Sequence, residues 1–177
     1  MAKPILELFT GHHLFKSLFM RKSYFFAAIL FAGMFVFTSV SSHAQSTYKT
    51  GLGLGIDFGN GSTLVGPSVK HFFSTNNAGQ FEALFGNGYT ILQAAYLYHK
   101  HIPNAAGLQW YLGAGAGVGL YDGGSNFLIR PAGGLDYKIT NVPLSFSFDW
   151  RPTITIGNGD SDFEPARFGL GFRYTLN

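Results

Sequence analysis

The stretch from Leu108 to Tyr121, LQWYLGAGAGVGLY, alternates strictly between two kinds of position. Its even-numbered residues are all apolar, including Trp110, Ala116 and Leu120, whereas its odd-numbered residues are glycine, glutamine or tyrosine. Successive side chains of a β-strand point to opposite faces, so this period of two predicts a strand with one continuous apolar face and one nearly bare face. A soluble sheet would bury the apolar face in a core, whereas a membrane barrel would turn it outward to lipid.

The N-terminal segment has the order of a secretory leader. Arg21-Lys22 forms a basic region, an apolar run follows from Tyr24 to Val40, and Ser42-His43-Ala44 offers a small-residue cleavage site. We therefore predict a signal peptide over residues 1–44, cleaved after Ala44. The alternative is an uncleaved N-terminal membrane helix, for which the apolar run is slightly short.

Removal of this leader leaves residues 45–177 as one predicted domain. Met20 stands directly before the basic pair, where signal peptides usually begin, so residues 1–19 are either part of the leader or an upstream start artefact. The excess positive charge lies in the leader, and the charges of the remaining residues balance. Nucleic-acid binding needs a basic patch on the domain itself, so no nucleic-acid partner is expected. The chain has no cysteine, which excludes disulfides, thiolate metal sites and cysteine nucleophiles.

Eight strand-like runs follow the leader, separated by turn chemistry, and no amphipathic helix interrupts them. They cover Tyr48–Phe58, Thr63–Phe73, Gln80–Asn87, Tyr89–His101, Leu108–Tyr121, Phe127–Ile139, Leu144–Ile156 and Arg167–Asn177. Most have about the ten residues that a transmembrane β-strand needs. The sequence does not assign a register to the strands at 62–73 and 89–101. Residues 157–166 are predicted to form a long acidic loop. The predicted fold is all-β, an eight-stranded antiparallel transmembrane β-barrel preceded by a cleavable signal peptide.

Charged side chains of both signs fall on the bare faces of these strands. They are Glu82, Arg130, Asp136, Lys138, Asp149, Arg151 and Arg173. We expect them to form a polar network inside a narrow barrel whose lumen is filled by side chains. A basic side chain at the middle of the lipid face costs about 2–4 kcal/mol, so the absence of charge from the apolar faces favours the membrane barrel. The alternative is a secreted soluble barrel with its apolar faces inside, around a small hydrophobic ligand.

With these features the chain resembles small bacterial outer-membrane β-barrel proteins of the OmpA/OmpX-like kind, in particular those of Bacteroidetes-type bacteria. The final strand matches the C-terminal insertion pattern of that family at Arg167, Gly169, Phe172 and Tyr174, although the chain ends on Asn177 rather than on phenylalanine. The resemblance implies the outer membrane of a Gram-negative cell as the location. It also implies contact with outer-membrane lipid, recognition of the last strand by the barrel-assembly machinery during insertion, and a monomeric barrel.

Two further patterns are candidates for a cofactor or metal site. The glycines of 113–119 do not make a dinucleotide loop, because Val118 and Leu120 stand where that fingerprint needs glycine. His99 and His101 share one face of a strand, but a catalytic zinc site usually has three protein ligands and no third is identifiable. No cofactor and no metal site is therefore predicted, and the two histidines are expected to lie at a polar strand end at the membrane interface.

The remaining question is whether the barrel is an enzyme. Outer-membrane lipid A deacylases use a histidine and a serine two residues apart, which places base and nucleophile on one strand face. The nearest match here, His71 and Ser74, is three residues apart and would lie on opposite faces. We expect an integral outer-membrane protein with a structural or surface-interaction role and no catalysis. The alternatives are a lipid-modifying enzyme of that membrane and the secreted ligand-binding barrel.

Overall fold

The structure, a computed structural model, describes residues 48–157 and 160–176. These residues form ten strands: β1 (Thr50–Gly59), β2 (Ser62–Phe72), β3 (Asn77–Gly86), β4 (Tyr89–His101), β5 (Leu108–Tyr121), β6 (Gly124–Lys138), β7 (Leu144–Trp150), β8 (Thr153–Gly157), β9 (Asp160–Glu164) and β10 (Arg167–Leu176). Within this part of the chain, no helix is long and apolar enough to span a membrane. The predicted signal peptide, residues 1–44, lies outside the described residues.

The ten strands make one closed antiparallel barrel of eight barrel strands. β7 and β8 are separated by Arg151-Pro152 and together form the seventh barrel strand, while β9 and β10 are separated by Pro165-Ala166 and form the eighth. Each barrel strand pairs with its neighbours in sequence, and β1 pairs with β10 along its whole length from Thr50 to Gly59, which closes the ring. The eight-stranded antiparallel β-barrel predicted from the sequence is confirmed.

Two hairpins turn on Asn-Gly pairs that have positive φ at both residues. Asn60 and Gly61 have φ of 46° and 76°, and Asn87 and Gly88 have φ of 48° and 71°. Positive φ at both central residues is the signature of the type I′ turn, whose twist matches that of paired strands. The hairpins β1–β2, β3–β4, β5–β6 and β8–β9 turn at one end of the barrel, which we call the distal end. Thr50 and Leu176 pair at the opposite, proximal end.

The acidic segment 157–166 differs from the loop predicted for it. Asp160–Glu164 is strand β9, paired with β8 in a register that sets Asp162 opposite Thr155. The resulting hairpin continues past Gly59, the distal end of β1. Aspartate and glutamate are depleted in strands, so local composition favoured a loop, whereas pairing with β8 stabilises the extended backbone.

The apolar faces of the strands lie on the outside of the barrel. In β5, Leu112 is 63% exposed while the neighbouring Tyr111 is 2% exposed, so the face assignment made for that strand is confirmed. Large outward-facing apolar side chains occur around the whole barrel: Leu52, Leu54, Val65, Val69, Phe81, Phe85, Leu92, Leu112, Val118, Leu120, Phe127, Ile129, Leu135, Phe146, Phe148, Trp150, Phe172 and Tyr174. The exterior is therefore apolar and the interior is the polar side.

The structure supplies the register of the two strands that the sequence left unassigned. In β2, Lys70 and Phe72 face inward; in β4, Ile91, Leu97 and His99 do so. The alternation was hidden because both faces of these strands carry apolar residues. The inward apolar residues gather in two clusters, one toward the distal end (Leu64, Leu84, Ile91, Leu128) and one toward the proximal end (Tyr48, Phe72, Ala78).

Candidate functional site

Six of the seven charged residues predicted to face the lumen are buried inside the barrel. Glu82, Arg130, Asp136, Asp149, Arg151 and Arg173 are each less than 5% exposed. Lys138 lies apart from them. It is the last residue of β6, and its ammonium donates to the backbone carbonyls of Ile139 and Val142 at 2.9 and 2.7 Å. Lys138 therefore holds the β6–β7 turn rather than joining the interior network.

The middle of the network is organised around the Arg151 guanidinium. Its Nη1 donates to Glu82 Oε2 at 2.7 Å, and its Nε and Nη2 donate to the two oxygens of Asp149. Tyr111 adds a hydrogen bond to Asp149 at 2.6 Å, and Ser68 adds one to Glu82 at 2.9 Å. Bidentate arginine–carboxylate pairs are the stronger kind of charge-assisted hydrogen bond, which suits a buried position.

Nearer the distal end, the Asp57 carboxylate receives two guanidinium groups. Arg130 donates to one of its oxygens and Arg167 to the other. Arg130 also donates to Gln93 Oε1 at 2.7 Å and to Thr153 Oγ1 at 2.9 Å. The network predicted from the sequence did not include Asp57, although the alternation of β1 sets it on the same face as Gly51, Gly53 and Gly55.

Toward the proximal end, Asp136 is the shared acceptor. The Lys70 ammonium donates to its Oδ2 at 2.7 Å and the Tyr48 hydroxyl donates to the same atom at 3.0 Å. Lys70 Nζ also lies 4.6 Å from the centre of the Tyr111 ring. Burial, and then the nearby Asp136 charge, raise the pKa of the Tyr48 phenol well above its ordinary value. Tyr48, which precedes β1, therefore keeps its proton and remains a donor.

The two histidines considered as metal ligands have different environments. His99 is fully buried, with its ring centre 4.7 Å from that of Phe72 and 4.9 Å from that of Tyr111. His101 is exposed at the end of β4, beside Gln109. Among the residues that the structure describes, no group of three or more His, Asp or Glu is placed to hold a metal ion. The interior position of His99 differs from the polar strand end predicted for it.

The four residues of the C-terminal insertion pattern divide between the two faces of β10. Phe172 and Tyr174 point outward and are 43% and 53% exposed, whereas Arg167 and Gly169 are buried. A side chain at Gly169 would overlap the guanidinium of Arg151. Gly169 therefore leaves space for the Arg151 side chain in the interior.

The candidate histidine–serine pair is engaged with other partners. His71 Nδ1 is hydrogen-bonded to Thr50 Oγ1 at 2.9 Å on the neighbouring strand. Ser74 lies in the β2–β3 connection, where its Oγ accepts from Asn77 Nδ2 at 2.6 Å. Both residues are exposed at the proximal end, outside the interior network.

Among the described residues, the interior combines five cations with four carboxylates, all buried: Lys70, Arg130, Arg151, Arg167 and Arg173 with Asp57, Glu82, Asp136 and Asp149. Each of these groups has an oppositely charged partner within the network. A small cavity of about 20 Å³ remains near Gln80 and Gln93, which is room for about one water molecule. The arrangement is suited to filling and cross-linking the lumen.

No family model, no characterised protein and no solved structure matches this chain.

Proposed function

We propose that the chain is an integral outer-membrane β-barrel protein with a structural or surface-interaction role and no catalytic activity. One observation carries the proposal: the barrel has an apolar exterior and a charged interior. Transmembrane barrels have this arrangement, with an outward apolar band and inward polar side chains. The resemblance of the leader and last strand to those of small outer-membrane proteins supports the same conclusion.

The secreted soluble barrel would need the opposite arrangement of faces. The largest apolar patch on a typical soluble monomer is about 300–600 Å², whereas here large apolar side chains encircle the barrel. Phe81, Leu112 and Phe172 belong to three different strands and are all exposed. Lipid is the environment that removes such a surface from water, and so the proposed partners are outer-membrane lipid and, during insertion, the barrel-assembly machinery.

The filled lumen favours a role at the barrel surface or its ends over transport through a wide pore. Arg151 in the seventh barrel strand and Arg173 in the eighth both reach across the interior to Glu82 in the third. Ion pairs of this kind occupy the space that a porin leaves for water. We propose a monomer that acts through its exterior and its distal end.

Cell fractionation tests the location. We expect the protein, expressed from its full sequence, in the outer-membrane fraction, resistant to carbonate extraction, with a gel mobility that changes when the detergent-solubilised sample is boiled. The reason is that a closed hydrogen-bonded barrel resists detergent until it is heated. A known soluble periplasmic protein and a known outer-membrane porin from the same cells serve as controls. Recovery with the soluble protein and an unchanged mobility would refute the proposal.

A further inference from the structure

The distal end of the barrel contains a cavity of about 380 Å³ that the interior network does not fill. Small-molecule sites are concave, occupy about 300–1,000 Å³ and combine apolar walls with a few placed polar groups. The apolar part of this lining is Leu64, Ile91 and Leu128, which belong to the buried distal cluster. The Tyr89 hydroxyl, fixed by a 2.7 Å hydrogen bond to Asn126, stands beside them.

The two arginines that line the cavity share one carboxylate, that of Asp57. Arg130 and Arg167 both donate to Asp57, and Arg167 Nη1 also donates to the Gly59 carbonyl at 2.9 Å and to Ser62 Oγ at 2.6 Å. A bound anion would have to compete with these buried contacts. Two guanidinium groups on one carboxylate leave one positive charge in excess, and the two carboxylates of the lining more than offset it.

The lining of the cavity also contains two carboxylates. Asp162 and Glu164 belong to β9 and face the cavity from positions opposite Thr155 and Thr153. Neither carboxylate has an ion-pair partner among residues 48–157 and 160–176. The cavity thus combines an apolar wall with two carboxylates that are free to accept hydrogen bonds.

We propose that this cavity binds a small organic ammonium ion. The apolar body of the ligand packs against Leu64, Ile91 and Leu128, and its ammonium group donates to Asp162 and Glu164. The two contacts together select a cation that carries an apolar group over a bare metal ion or an anion of the same shape. The inference concerns one end of the barrel and does not depend on the membrane location proposed above.

Calorimetric titration of the purified full-length chain, in an uncharged detergent or in buffer, tests this site. The probe is phenethylammonium, compared with phenylpropionate, which has the same ring and spacer but the opposite charge, and with ethylammonium, which lacks the ring. We expect binding of phenethylammonium only. Asp162→Asn and Glu164→Gln should each weaken it about tenfold, since each removes a charge-assisted hydrogen bond. Thr155→Trp should abolish binding by filling the cavity.

Asp160→Asn is the matched control, because Asp160 lies on the same strand but outside the lining. It should change the affinity by no more than about twofold, as expected for a screened surface charge. Circular dichroism of each variant verifies that the barrel is folded. The proposal is overturned if phenethylammonium fails to bind, if phenylpropionate binds equally well, or if Asp160→Asn weakens binding as much as Asp162→Asn. Calcium binding that depends on the same two carboxylates, without phenethylammonium binding, would identify a metal site instead.

Discussion

Asp57 shows how strongly a single residue can be coupled to distant parts of this chain. Its carboxylate is fully buried and holds both Arg130, 73 positions away in sequence, and Arg167, 110 positions away. The two arginines belong to the sixth and eighth barrel strands, so one side chain links three strands through the lumen. Buried charges of this kind are stable only when paired, and the loss of one partner leaves the others without compensation.

We predict that Asp57→Asn destabilises the barrel by about 3–5 kcal/mol, because it leaves two buried guanidinium groups without their shared carboxylate. The measurement is the free energy of unfolding in denaturant, followed by tryptophan fluorescence. Asp122→Asn, in the exposed β5–β6 turn, makes the same chemical change and should alter stability by less than about 0.5 kcal/mol. Equal stability of the two variants would show that the interior ion pairs do not support the fold.

At the scale of single elements, β5 illustrates how glycine serves a narrow barrel. Its odd-numbered glycines face the side of the sheet on which Tyr111 is buried, and its even-numbered residues face outward. A side chain at Gly113 would overlap the backbone carbonyl oxygen of Tyr96 on β4. Gly113 therefore permits close approach of β4 and β5, as is common for glycine within strands.

We predict that Gly113→Ala lowers the free energy of unfolding by about 1–3 kcal/mol, the usual cost of overpacking. Gly133→Ala is the control, because an added Cβ there would lie 3.3 Å from Leu112 Cδ1, a flexible side-chain atom, and 3.9 Å from the nearest backbone oxygen. Denaturant unfolding of both variants measures the difference. Indistinguishable stabilities would mean that β4 and β5 can separate without cost, contrary to the close approach seen in the structure.

Residues 48–157 and 160–176 form an inverted barrel, since their charged side chains are mostly inside and their large apolar side chains are mostly outside. In transmembrane barrels this arrangement is stable because closure leaves no unpaired strand edge and lipid covers the apolar exterior. The interior ion pairs and the apolar exterior therefore both support the proposed transmembrane barrel. An outward charge should be far more damaging than an outward apolar residue of similar size.

Ala116 faces outward in the middle of β5 and is therefore the position at which an outward charge is best tested. Ala116→Arg should cost about 2–4 kcal/mol of folding free energy in lipid vesicles, because the guanidinium enters the apolar band near its midplane. Ala116→Leu, on the same face and uncharged, should fold normally. The assay is equilibrium unfolding from vesicles, monitored by the heat-dependent gel shift. If the arginine variant folds as well as the leucine variant, the outer face does not contact hydrocarbon.

Much of the fold could be predicted from the sequence because alternation is a local property. The number of barrel strands, the outward face of Leu108–Tyr121 and the Asn-Gly turns each depend on a few consecutive residues. The same alternation assigned seven charged residues to the bare faces, and six of these are buried inside the barrel. Lys138 is the exception, because it is the last residue of β6 and donates to the turn that follows. Alternation gives the face of a residue but not its height in the barrel relative to residues on other strands.

The sequence alone assigns the two faces of six of the eight barrel strands. The folded structure assigns those of β2 and β4 and shows which interior residues meet. Closure of the ring sets β1 against β10 and brings Asp57 to Arg130 and Arg167, and no local pattern contains that register. Pairing likewise converted an acidic segment into β9 and set Asp162 and Glu164 at the mouth of a cavity. The physical reason is that facing is repeated every two residues along a strand, whereas contact across a barrel depends on the stagger of all eight barrel strands at once.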